Sequence, residues 1–180
     1  MPRMILICGR VCSGKTTYAK RIARAQQAVR FNADELMKPL FGEYLGERHE
    51  EVLDQVVGLL LEKAAECYAC GVSVVLDLGF WQRKMRERAN RFFADRKITP
   101  EWYYLRLEET EWRRRIAKRN AEVASSGSQT DYLIDENIIR KFLDPKDEPQ
   151  PGEMEVLQDA ADGESGALLE KKNMERRRDD

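Results

Sequence analysis

Cysteine, histidine and long apolar runs are all scarce in this chain of 180 residues. Its four cysteines, Cys8, Cys12, Cys67 and Cys70, are too few for the disulfide framework that staples small secreted folds. Cys67 and Cys70 have C-x-x-C spacing, but His49 is the only histidine. A zinc site lacks further ligands, so the pair reads as two small buried thiols late in a helix. The longest strictly apolar run, Val56 to Leu61, falls far short of the roughly 20 residues that span a bilayer. The apolar N-terminal stretch is too short for a signal peptide and runs into a loop rather than a cleavage site, which gives the expectation of a cytoplasmic protein. An excess of one charge is also missing. With 31 Lys and Arg against 32 Asp and Glu, the net charge of −1 creates no whole-molecule field to draw in nucleic acid or an anionic membrane. Any polyanion site must be local. No internal repeat is present.

What is there suffices for one domain: 42% hydrophobic residues build a single core under a surface fed by 35% charged ones. Residues 3 to 8 form an apolar run that stops at Gly9, as expected of a strand buried on both faces. Thr16 to Ala28 follows as a helix with Tyr18, Ile22 and Ala25 inward. Val29 to Asn32 reads as a second strand, and Asn32 with Glu35 has the spacing of a capping box that starts the next helix. A long helix is expected from Arg48 to Cys70, with Val52, Val56, Leu59, Leu60 and Ala64 in the core and Gly71 ending it. Val72 to Asp77 is a strand, Gln82 to Arg96 a helix, Trp102 to Leu107 a strand, and Thr110 to Ala124 a helix with Thr110 as its cap. Ser125 to Gln129 reads as a loop, Asp135 to Phe142 as a short helix, and Met154 to Leu157 as a last strand. This alternation predicts an α/β three-layer sandwich with a mainly parallel sheet. Charge is segregated late in the chain, +7 over residues 83–119 and −8 over 144–170. Residues 159–180 read as a frayed, charged tail behind a domain of 1–158.

Gly9-Arg10-Val11-Cys12-Ser13-Gly14-Lys15-Thr16 is a complete G-x-x-x-x-G-K-[ST] phosphate-binding loop, with Thr17 behind it. It follows a buried strand and opens a helix. Glycines let backbone N–H groups curl around a phosphate, and the helix N-terminus turns its positive dipole end to the anion. Lys15 is placed to reach the β- and γ-phosphates of ATP and the Thr16 hydroxyl to take one position on Mg²⁺. A guanine-reading Asn-Lys-x-Asp run is absent, which favours ATP over GTP. Asp77, closing its strand, is the candidate for the magnesium shell, or else it caps the next segment. Asp34 lies just past the second strand, at the carboxyl edge where ligands bind. It reads as a base facing the substrate, against the alternative of an acid that merely stabilises its helix. Arg115 and Arg119, four apart, can project from one helical face onto a transferring phosphoryl group, or else belong to a solvated face. Arg86 is either a substrate contact or a surface residue.

These segments together, Gly9 to Thr17, Asn32 to Met37, Val74 to Trp81, Arg86 and Arg115 to Asn120, resemble small P-loop kinases of the zeta-toxin, polynucleotide-kinase and chloramphenicol-phosphotransferase group. The resemblance spans about residues 4 to 157. It implies a P-loop NTPase fold with a parallel five-stranded sheet, a helical lid over about 110–130 that carries arginines, and ATP-dependent phosphorylation of a hydroxyl. It further implies that Asp34 engages the acceptor hydroxyl, that Arg86 is a substrate-side arginine, that Arg115 and Arg119 are lid arginines, and that Asp77 ends the strand beside the P-loop strand. The run Phe142 to Pro149 departs from the Phe-Glu-Pro-Pro-like segment of such relatives. Three readings follow: a kinase for a hydroxyl of a small molecule or sugar nucleotide, a 5′-hydroxyl polynucleotide kinase with nucleic acid as partner, or a nucleotide-dependent switch that transfers phosphate only to water.

Overall fold

The structure is a computed structural model and describes residues 1–41, 45–126 and 133–158. In chain order the elements are β1 (Met4–Gly9), α1 (Lys15–Ala25), β2 (Val29–Asn32), α2 (Ala33–Phe41), a single 3₁₀ turn, α3 (His49–Ala69), β3 (Val74–Asp77), α4 (Arg83–Ala94), β4 (Glu101–Arg106), α5 (Glu109–Ser126), α6 (Glu136–Lys141) and β5 (Glu155–Gln158). The strands form one sheet in the order β2-β3-β1-β4-β5. All four pairings are parallel. Every carboxyl end therefore opens on the same edge, and β1 lies in the middle with the loop that follows it at the centre of that edge.

Strand period two sorts β1 between two cores. Met4, Leu6 and Cys8 join a cluster with Val74, Leu76 and the inner faces of α2, α3 and α4. Ile5 and Ile7 turn the other way, onto Tyr18, Ala19, Ile22 and Ala23 of α1. Buried on both faces, β1 has no polar alternation, which is why it appears as a continuous apolar run. A third, smaller cluster of Leu107, Trp112, Ile116, Ile134 and Ile139 joins α5 to α6 and takes in Val11 and Cys12 from the loop after β1. Among the described residues, no helix is long and apolar enough to cross a membrane.

Several details differ from the sequence expectation. Leu59 is 54% exposed, because α3 buries the stripe Val52, Val56, Val57, Leu60, Leu61, Ala64 and Ala65, and position 59 lies off that face. Ala25 is exposed, and Ala19 and Ala23 take the inward positions of α1. Cys67 is only half-buried and Cys70 exposed, so they are not a pair of buried thiols. Thr110 lies inside α5, whose first residue is Glu109. Ser125 continues that helix instead of opening a loop, while Gly127 to Gln129 and the tail from 159 onward lie outside the described residues.

Candidate active site

The loop between β1 and α1 is shaped by close packing. A β-carbon on Gly9 would stand 2.5 Å from Ser13 Oγ and 3.0 Å from the Leu105 carbonyl oxygen. Gly14, at φ 91°, makes the left-handed turn into α1, and Cys12 also has positive φ, at 59°. The helix starts at Lys15 with no side-chain cap and no acid in its first turn. Its positive end is thus left for an anion. Replacing Gly9 by alanine is expected to displace Ser13 or the β4 carbonyl, to cost roughly 1–3 kcal/mol, and to weaken nucleotide binding. Thermal unfolding and nucleotide titration of the variant check this.

A cleft of about 730 Å³ lies above the carboxyl edge of the sheet and brings together Lys15, Thr16, Thr17, Asp34, Asp77 and Arg119. Gly9, Cys12 and Gly14 also line it, whereas Ser13 is buried beneath, its hydroxyl without a hydrogen-bond partner among the described residues. Lys15 Nζ donates to the Arg10 carbonyl at 2.7 Å, folded back within its own loop. Burial draws the Lys15 ammonium below the usual lysine range, and the negative charge of Asp77 works against that shift. Burial also pushes the Cys12 thiol up, although Arg119, Lys15 and Arg115 oppose it.

Asp77 is 3% exposed and is held by the neighbouring strand. Asn32 Nδ2 donates to its Oδ2 at 2.8 Å and to its carbonyl at 3.1 Å, and an Arg30 guanidinium nitrogen lies 3.5 Å from the same Oδ2. Both side-chain contacts therefore fall on Oδ2. The Asn32 Oδ1 in turn accepts from Glu35 N at 3.0 Å and caps α2, the helix whose first turn exposes Asp34 to the cleft. The second half of the capping box is not made, since the Glu35 carboxylate pairs with Arg30 instead. One asparagine thus fixes two acids, Asp77 directly and Asp34 through its helix.

The arginines of α5 part company. Arg119 lines the cleft. Arg115 is held by Glu111 at 2.6 Å, on the same helix. Hydrogen bonds from Arg114 and Arg115 draw the Glu111 carboxyl down to about 2. Only one of the two expected lid arginines faces the cleft. Asn120 ties α5 to the segment before α6 by exchanging hydrogen bonds with Ile134 N and O at 3.0 and 2.9 Å.

A family model described as an AAA domain matches residues 4–133. The chain belongs to this family. Its fold is shared by a candidate kinase from Chloroflexus aurantiacus (19% identity, 96% of this chain and 97% of that one, TM-score 0.73). It is also shared by the Mycobacterium tuberculosis APS kinase in complex with AMPPNP and APS (16% identity, 94% of each chain, TM-score 0.64). A gluconokinase from Sinorhizobium meliloti matches as well (16% identity, 98% of this chain and 97% of that one, TM-score 0.60). No curated protein matches the sequence. The five-stranded parallel α/β architecture is thus shared with these kinases, as the resemblance implied.

In this AAA domain Arg86 is not a cleft residue. It is 1% exposed and spends its guanidinium on the Trp81 and Asp147 carbonyls and on the Glu153 carboxylate, the latter at 2.6 Å. Its partners Asp147 and Glu153 lie beyond the family match, so it ties the loop before β5 to the loop after β3. Arg86→Ala would leave those carbonyls without this donor and Glu153 with only the Gln150 backbone N–H, and a loss of roughly 3–5 kcal/mol is expected from denaturant unfolding.

Spacing presents Asn32 only as a cap for α2 and carries no sign of its bond to Asp77. Arg10 stands in the sequence only at a variable position of the phosphate loop. Its guanidinium carbon lies 5.4 Å from the Trp81 ring centre and 4.9 Å from that of Trp112, while Trp112 Nε1 donates to the Val11 carbonyl at 2.7 Å. These contacts fasten the tip of the phosphate loop to α5. Nothing in residue spacing joins positions 10, 81 and 112.

Proposed function

We propose that the protein is an ATP-dependent phosphotransferase that moves the γ-phosphoryl group to a hydroxyl of a small molecule. The observation that carries this reading is that Lys15, after β1, and Asp34, after β2, line one cleft at the carboxyl edge of the sheet. The uncapped start of α1 and the glycine-lined loop suit a nucleotide triphosphate, and Lys15 leaves the Arg10 carbonyl for its β- and γ-phosphates. Asp34 accepts the proton of the acceptor hydroxyl. The alcohol oxygen then forms a bond to the γ-phosphorus as the bond to the departing ADP oxygen breaks. Arg119 offsets charge on the equatorial oxygens.

Thr16 and Asp77 are the residues that would hold Mg²⁺. Asp77 keeps Oδ1 clear of the contacts that fall on Oδ2, and no group of three or more acids, histidines or cysteines suited to a metal occurs among the described residues. That donor set fits magnesium, which takes one or two carboxylates and completes its shell with water and substrate phosphates. Held by these residues, Mg²⁺ would supply positive charge against the negative charge of the transferring phosphoryl group. The test is transfer from γ-labelled ATP with Mg²⁺ to a panel of alcohols, with Lys15→Ala as control. Label in an organic product that disappears in the control supports the kinase. Label only in inorganic phosphate, unaffected by any acceptor, supports a hydrolytic switch instead.

A further inference from the structure

Asn32 and Asp77 are the last residues of β2 and β3 and stand opposite each other in their parallel register, so their side chains leave the same face of the sheet side by side. The buried Asn32 amide is used at both ends. Nδ2 meets the Asp77 carboxylate and carbonyl, and Oδ1 meets the Glu35 backbone N–H. The amide fits only this way round, since turning it over would set oxygen against carboxylate and N–H against N–H. Arg30 joins Asp77 to Glu35 from outside, but its nitrogen lies 3.5 Å from Oδ2 and Glu35 is half-exposed, so this link balances charge without setting a direction. The 2.8 Å bond from Asn32 is what stops the Asp77 carboxylate from turning, and it makes Oδ1 the oxygen left for an ion. The bond to Glu35 pins the backbone on the far side of Asp34, so the direction in which that acid leaves α2 depends on Asn32 as well.

Resting on the phosphotransferase reading, we infer that Asn32 is a positioning residue that couples the metal site at Asp77 to the acceptor base Asp34. When Oδ1 of Asp77 is engaged, the carboxylate settles, its Oδ2 holds the Asn32 amide, and the amide holds the turn that carries Asp34. Linkage makes the effect mutual: whatever orders the first turn of α2 strengthens binding at Asp77 by the same factor. A hydrogen-bonded partner of a metal-binding carboxylate typically governs affinity by its hold on the carboxylate's direction. An asparagine that served only to cap α2 and fill the space between two strands would support the fold and leave metal affinity unchanged. The two roles are separable, because the cap needs an oxygen at the stem of the side chain and the hold on Asp77 needs a donor at its tip.

The experiment compares the full-length protein with Asn32→Ser and Asn32→Ala, each with a non-hydrolysable ATP analogue. The serine hydroxyl caps a helix but is too short to reach Asp77 Oδ2, whereas alanine removes both bonds. Mn²⁺ affinity of the analogue complex, followed by paramagnetic resonance, is expected to fall about 10–100-fold in both variants. Hydrogen-exchange protection of the Glu35 amide, followed by NMR, is expected to rise several-fold when Mg²⁺ and the analogue are added to wild type, to be present but unresponsive in Asn32→Ser, and to be lost in Asn32→Ala. In transfer assays, excess Mn²⁺ is expected to restore Asn32→Ser more fully than Asn32→Ala, whose α2 has also lost its cap. Should the alanine variant fail to fold, the serine variant, which keeps the cap, decides the matter. Wild-type Mn²⁺ affinity in Asn32→Ser overturns the coupling, and so does a Glu35 amide that ignores Mg²⁺ in wild type or still answers to it in Asn32→Ser. Neither binding measurement depends on turnover. The expected metal affinities and amide response, in a wild-type protein that transfers phosphate to no acceptor, sustain the role of Asn32 and overturn the kinase.

Discussion

Lys15→Ala is expected to lower phosphoryl transfer by roughly 10³-fold, with the fold intact. Burial draws the Lys15 ammonium below its usual range, and the negative charge of the neighbouring Asp77 opposes that shift, as a bound phosphate would. Such a charge acts strongly on phosphate because little water screens it. The alanine variant gives up one hydrogen bond to the Arg10 carbonyl, which a water can replace, and none of the buried apolar contacts of β1. Circular dichroism and thermal unfolding should therefore be close to wild type while labelled product falls below detection. Lys15→Arg is not expected to rescue. A longer, planar guanidinium cannot put a compact charge where the Lys15 ammonium meets the Arg10 carbonyl. Transfer by Lys15→Ala at the wild-type rate would remove this lysine, and with it the phosphate-loop mechanism.

For Asp34→Ala the expectation is a loss of about 10²–10⁴ in kcat with little change in ATP affinity. The separation follows from position. Asp34 stands on the first turn of α2, attached to β2, while the phosphate loop hangs from β1, two strands away in the sheet order. Removing the carboxylate also removes an acid from a helix N-terminus, worth roughly 0.3–1 kcal/mol, but Glu35 remains in the same turn. Asp34→Asn separates the roles, since the amide keeps the shape and a hydrogen-bonding oxygen but cannot take a proton. Equal loss in both variants, with ATP titrations unchanged, identifies proton acceptance. An asparagine variant that retains most of the activity would reduce Asp34 to an orienting group.

The phosphate loop was legible because every part of it is local. Gly9, Gly14, Lys15 and Thr16 sit at fixed offsets, and the buried strand before them and the helix after them are each read within a short window. The same holds for the alternation of strands and helices, which yields a parallel sheet by elementary packing. Asp34 and Asp77 were found for a related reason. Each lies within two residues of the carboxyl end of a strand, and in a parallel α/β sheet that end is where a site must form. Arg86 misled because an arginine on a polar-looking helix has the composition of a surface residue. Its partners, the Trp81 and Asp147 carbonyls and Glu153, assemble only once β5 has docked beside β4.

The sequence by itself determined the phosphate loop, the α/β class and the edge on which the site forms, since these depend on near neighbours and on strand and helix periodicity. Tertiary structure decided which side chains reach the cleft. It turned Arg119 inward and tied Arg115 to Glu111. It gave Asn32 its hold on Asp77 across 45 positions of sequence, and set Arg10 between Trp81 and Trp112. The physical reason is that a side chain's direction and its partners at long sequence separation depend on how the elements pack, which no local pattern encodes.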